Sequence, residues 1–162
     1  MLFQNMDARK EYYLTEQGLK KIKEELSELK EIKISKIQGE GPQSFSFGNA
    51  EPEFLDFRQE MAQLEKRIAE IEDVLEHYSL IKAPLAKERS KVYLGAHVFI
   101  ETKGEIEEFI IVGTIEADPA EHKISDESPL GKALLGRGVG EAVDVDTAIV
   151  KSSCKIIRIS YF

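Results

Sequence analysis

The chain has 162 residues, room for one ordinary domain or two small ones. Apolar residues make up 42% and charged residues 32%, with 30 acids against 22 Lys and Arg for a net charge of −8, which excludes a disordered or fibrous chain and argues against a basic domain wrapped on nucleic acid. The single Cys154 excludes an intramolecular disulfide and a cysteine-held metal, and makes a reducing cytoplasm the expected compartment.

The opening MLFQNMDARK has neither the charged start nor the apolar stretch of a signal peptide, and residues 1–12 read as a flexible polar lead-in. No segment approaches the ~18 uninterrupted apolar residues of a membrane span, so no membrane partner is expected. In YYLTEQGL the hydroxyl of Thr15 suits a helix cap, and Leu19, Ile22, Leu26 and Leu29 then recur at spacings of 3, 4 and 3 along one helix face. That helix should end near Gln38, where Gly39, Gly41 and Pro42 begin. Pro52 suits the first turn of a second helix. Its seam runs Phe57, Met61, Leu64, Ile68, Ile71, Leu75 and Tyr78 in the alternating steps of 4 and 3 of a coiled coil. Residues 13–78 are therefore expected to form an antiparallel coiled-coil hairpin of roughly 35–40 Å with a tip loop near 39–52.

The two helices differ in charge. Between 15 and 37 the first carries six Lys against five Glu, whereas 51–76 carries nine acids against Arg58, Lys66 and Arg67. Opposite-sign pairing across the seam accounts for this pattern. A second account is a basic stripe of Lys20, Lys23, Lys30 and Lys33 that meets an RNA strand.

Residues 79–91 read as a linker containing Pro84, and 92–162 as a small domain of short alternating runs at Val92–Leu94, His97–Glu101, Glu108–Val112, Ala142–Asp146 and Lys155–Ser160. Ser128-Pro129 reads as a cap and first-turn proline of a short helix through Leu135, stopped by Gly136. The fold class is therefore α+β: a helical hairpin followed by a compact domain with a strongly curved antiparallel sheet and one helix. His77, His97 and His122 are scattered over different elements and give no nucleophilic triad, and GKALLGRGVGEAV lacks the order of a phosphate-binding loop. No catalytic site emerges from the residues alone.

The strings YLGAHVFIE, FIIVGTIEAD and KISDESPLGKALLGRGVGEAVDV resemble, in order, the C-terminal domain of the bacterial Gre transcript-cleavage and elongation factors, and LTEQGLKKIKEELSELK is similar to that family's first helix. The resemblance runs from about Tyr13 to Tyr161. It implies a coiled-coil hairpin followed by an FKBP-like domain, a monomer with RNA polymerase as partner, and an accessory role without enzymatic activity of its own. The C-terminal domain, with Ser128 and Pro129 in the docking turn, is expected at the rim of the polymerase's secondary channel. The hairpin is expected to reach the nascent RNA 3′ end. No intrinsic cofactor is implied. The relevant metal is the second, polymerase-bound Mg²⁺, which the family's tip loop, G-D-L-S-E-N-A-E-Y, helps to hold with two carboxylates.

Here the tip reads FSFGNAEPEFLDF. Aligned at Phe47-Gly48 and back from Leu64 and Ile68, Asn49 and Ala50 occupy the acid positions and the loop is about two residues short. Aligned from the first helix, Asn49 and Pro52 do. Neither register gives the acidic pair, although Glu40, Glu51, Glu53 and Asp56 are close in sequence. Phe45, Phe47, Phe54 and Phe57 crowd the same region, as rings closing the end of the coiled coil or as a surface for polymerase or an RNA base. Three functions follow: an elongation regulator lacking the acidic pair, an inhibitor that occupies the channel and competes with cleavage factors, and, from the fold of the C-terminal domain alone, a peptidyl-prolyl isomerase.

Overall fold

The computed structural model describes residues 11–39, 52–146 and 151–161. Strand β1 (Tyr12–Leu14) leads into helices α1 (Glu16–Gly39) and α2 (Pro52–Glu76), followed by β2 (Tyr78–Leu80). Strands β3 (His97–Thr102), β4 (Glu105–Val112) and β5 (Lys123–Ser125), helix α3 (Pro129–Leu134), and strands β6 (Ala142–Asp146) and β7 (Lys151–Ser160) complete the chain. It divides into two compact units, one of residues 19–77 and one of 1–18 with 78–162.

In the helical unit, α1 and α2 run antiparallel. Rising positions on α1 meet falling ones on α2 in the pairs Lys30–Glu72, Lys33–Glu65 and Lys36–Glu60. Ile22, Ile68 and Ile71 are buried, and Leu19, Leu26, Leu29, Phe57, Met61, Leu64 and Leu75 are half-buried, along the seam expected from the 3 and 4 spacing; Val74, outside that series, is buried as well, and Tyr78, its expected last member, lies in β2. A hairpin of two helices buries only one stripe of each.

In the sheet unit five strands run in the order β5-β4-β3-β7-β6. All neighbours are antiparallel except β4 and β5, which pair parallel from Ile110↔Lys123 to Val112↔Ser125, so the sheet is mixed rather than wholly antiparallel. A register shift in the β3–β7 ladder between Phe99 and Ile100 adds local twist. Val98, Ile100, Ile111, Leu134, Val143 and Ile156 are buried together, so one sheet face and α3 share a single core.

Several elements differ from the sequence expectation. Tyr12, read as lead-in, begins β1, which pairs parallel with β2 from Tyr12↔Tyr78 to Leu14↔Leu80. Val92–Leu94 is not a strand; Val92 is fully buried, and its N–H donates to the Arg137 carbonyl at 2.8 Å. The span 79–91 includes the end of β2 and a 3₁₀ turn at Ala86–Glu88.

Candidate functional site

Lysine placement on the hairpin follows from its heptad. Continuing the α1 seam past Leu29 by 4 and 3 lands on Lys33 and Lys36, not on apolar residues. Their side chains are 34% and 26% exposed, so the methylene stems cover the seam while the ammonium groups reach Glu65 at 2.8 Å and Glu60 at 2.9 Å. Arg67 of α2 returns the pattern by donating from Nε to Glu25 at 2.8 Å and from Nη2 at 3.1 Å, and those bonds hold its guanidinium above its ordinary pKa. Of the four stripe lysines, Lys30 and Lys33 are thus occupied across the hairpin. Lys20 lies along its own helix 3.7 Å from Glu24, and Lys23 is exposed. The structure does not assemble the four into one unpaired basic face. Sequence reasoning missed Lys36 and Glu60, although the heptad step itself was the available signal.

The distal part of the hairpin instead exposes apolar residues off the seam: Ile32, Ile34 and Ile37 on α1 and Leu55 on α2. Phe54 is half-buried, with the Arg58 guanidinium 5.9 Å from its ring centre, and Asp56 is exposed. Glu40, Phe45, Phe47, Asn49, Ala50 and Glu51 lie outside the described residues, while Pro52 and Glu53 open α2.

In the sheet unit, Ser128 caps α3 as expected. Its Oγ accepts from the Gly131 N–H at 3.0 Å and donates to the Ser125 carbonyl at 2.6 Å. A Cβ on Gly131 would sit 2.0 Å from that carbonyl, so the turn closes only around glycine. Thr114, Ser125 and Glu127 tie the neighbouring turn together, with Thr114 Oγ1 3.0 Å from both Ser125 Oγ and Glu127 Oε2. Pro129 projects from this scaffold to solvent. The turn is thus a rigid support with one exposed apolar ring.

A cleft of about 700 Å³ opens elsewhere on the unit, its walls including Ile81, Lys82, His97, Ile110, Lys123 and Tyr161. Among the described residues of its wall Tyr161 is the only phenyl-type ring, and its hydroxyl is committed to the backbone, donating to the Lys91 carbonyl at 2.5 Å and accepting from the Tyr93 N–H at 2.8 Å. His97 Nδ1 lies 2.9 Å from Glu108, and Lys123 reaches Glu121 at 2.5 Å. Among the described residues no group of three or more His, Cys, Asp or Glu is placed to hold a metal ion, and no helix is long and apolar enough to cross a membrane.

Comparison with known proteins covers both units. Residues 12–79 match the family model "Transcription elongation factor, N-terminal", and residues 81–161 match "Transcription elongation factor, GreA/GreB, C-term". The chain belongs to the GreA/GreB family. Transcription elongation factor GreA of Caldanaerobacter subterraneus subsp. tengcongensis is 39% identical over 149 residues, 90% of this chain and 95% of that protein. GreA of Clostridium acetobutylicum is 38% identical over 161 residues, 95% of this chain and 99% of that one. Among solved structures, GreA factor homolog 1 (Gfh1) of Thermus thermophilus matches at 28% identity and a TM-score of 0.41, covering 93% of this chain and 99% of that one. As a GreA/GreB member the chain combines a helical hairpin with a curled mixed-sheet domain.

Proposed function

We propose that this GreA/GreB member binds RNA polymerase through the sheet unit, with Pro129 at the contact, and places its hairpin in the secondary channel as a regulator of backtracked or paused complexes. The observation that carries this reading is the match of both halves, in order and over nearly the whole chain, to elongation-factor models. The hairpin's construction supports it. Lys30, Lys33 and Lys36 are spent on cross-helix pairs, so the distal shaft is suited to fit a channel rather than to grip RNA along its length.

The tip residues do not fit the role of ligands to the polymerase's second Mg²⁺. Asn49 with Ala50 or Pro52 offers one neutral amide oxygen where a hard divalent cation favours carboxylates. No cleavage step is therefore assigned to this chain. The absent acidic pair favours a second reading within the same location, a channel occupant that competes with cleavage-competent factors. An isomerase activity has less support, because among the described residues the cleft presents one phenyl-type ring, Tyr161, whose hydroxyl already serves the backbone.

The test is to add the protein to a halted, backtracked polymerase complex and follow RNA length. We expect polymerase binding, little shortening, and protection of the transcript against an added acidic-tip Gre factor. Rapid Mg²⁺-dependent shortening by this protein alone would refute the competitor reading, and absence of polymerase binding would refute the whole assignment.

A further inference from the structure

Three motifs that the sequence resemblance singled out, L-T-E-Q-G, I-V-G and E-A-D, meet at one place in the sheet unit, and the functional reading above makes no use of it. Glu116 closes the 3₁₀ turn that follows β4. Its carboxylate takes both donors of Thr15, the N–H at 2.5 Å on Oε2 and the hydroxyl at 2.7 Å on Oε1. The same hydroxyl oxygen accepts from the Gly18 N–H at 3.0 Å. One threonine thus passes the anchor into the first turn of α1, where a negative group is also favoured by the helix dipole. The approach is so close that a Cβ on Gly18 would lie 2.0 Å from Glu116 Cδ, and one on Gly113 would lie 2.1 Å from the Tyr13 carbonyl oxygen. Gly113 is required by proximity to backbone, whereas an alanine at 18 would meet the carboxylate end of Glu116, which could swing away only by giving up its bonds to Thr15. Gly18 sits in a helix, where glycine is otherwise unfavourable.

We propose that Glu116 is a positioning residue. Within the sheet unit, to which Thr15, Gly18 and Glu116 all belong, it holds the first turn of α1 in place, and the action of the hairpin that continues from this turn depends on that hold. The inference rests on the polymerase reading for its consequence, but the lock itself is measurable without polymerase. A carboxylate suits the role because both of its oxygens accept. A glutamine amide turns one donor toward the Thr15 donors.

The test uses the full chain with Glu116→Ala, Glu116→Gln, Gly18→Ala and the double variant Gly18→Ala/Glu116→Ala. Amide exchange at Thr15 and Gly18 should quicken at least tenfold in each single variant, and Gly18→Ala should add nothing once Glu116 is alanine, because the group it collides with is gone. With halted polymerase, Glu116→Ala should bind as tightly as the parent, while the protection that it gives the transcript at saturation against an added acidic-tip Gre factor falls at least fivefold. Unchanged exchange in both Glu116 variants, or a full additional loss from Gly18→Ala in the double variant, would overturn the lock. An undiminished saturating effect, or a loss of affinity that tracks the loss of effect, would overturn the positioning role. If the parent itself fails to bind polymerase, the functional reading fails in that arm, and the exchange measurements still decide the lock.

Discussion

Ser128 uses its hydroxyl twice inside its own turn, accepting from Gly131 and donating to Ser125, so it is structural before it can be anything else. Ser128→Ala removes a helix cap, and we expect a loss of about 1 kcal/mol in urea unfolding. Pro129→Ala leaves that cap in place and deletes the exposed ring. Its stability should stay within about 0.5 kcal/mol of the parent, while a polymerase pull-down falls. A normal pull-down would move the contact away from this turn. Tyr161 gives a pH prediction. Burial pushes its phenol above the ordinary range, the Tyr93 N–H pulling the other way. With the folded pKa above the unfolded value of about 10, the stabilisation is complete below that value and is lost as pH rises through the folded pKa. Ionisation also removes the proton donated to the Lys91 carbonyl. Melting temperature should therefore drop less between pH 9 and pH 11 in Tyr161→Phe, whose baseline is lower, than in the parent.

At the scale of the element, the hairpin was legible because a coiled coil writes its contacts locally, as steps of 3 and 4 along each helix. Lys33 and Lys36 obey the same steps but carry charge, which is why Lys33 reads as part of a basic stripe and Lys36 goes unnoticed, although both are half-buried in the seam. A direct measurement separates the two roles. Lys33→Met keeps an unbranched apolar stem without the charge and should be neutral or slightly stabilising, whereas Lys33→Glu sets a carboxylate beside Glu65 and should cost about 1 kcal/mol at low salt, less at high salt. If Lys33 instead serves RNA, both substitutions will reduce crosslinking to the RNA 3′ end with little change in stability. The short strands were not legible. β1, β2 and β5 span three residues each, too few for any alternation to show. They exist because partners distant in sequence supply their ladders, as Tyr78 does for Tyr12 and Ile110 for Lys123. The same distance hid Glu116, whose bonds to Thr15 cross 101 positions.

For the whole molecule, motif order disclosed the family and the order of its two units, but it does not reach the tip residues on which the proposed reading turns. If the proposed reading holds, the difference between a cleavage factor and a channel occupant is a matter of charge and loop length at Asn49 and Ala50. Replacing those two residues by Asp-Leu-Ser-Glu supplies both carboxylates and lengthens the loop by two, leaving the seam, the Ser128-Pro129 turn and the Glu116 anchor untouched. Each 1.36 kcal/mol of transition-state stabilisation is a factor of ten in rate. Two charged ligands regained at a divalent cation should therefore raise cleavage stimulation by about two orders of magnitude or more in the halted-complex assay, with polymerase affinity unchanged. The matching control, Asp-Leu-Ser-Gln, restores length with one carboxylate and should recover much less. Equal cleavage by the parent and the four-residue variant, abolished in the parent by Glu51→Gln or Glu53→Gln, would show that the neighbouring acids already hold the ion and that the tip is acidic in a different register.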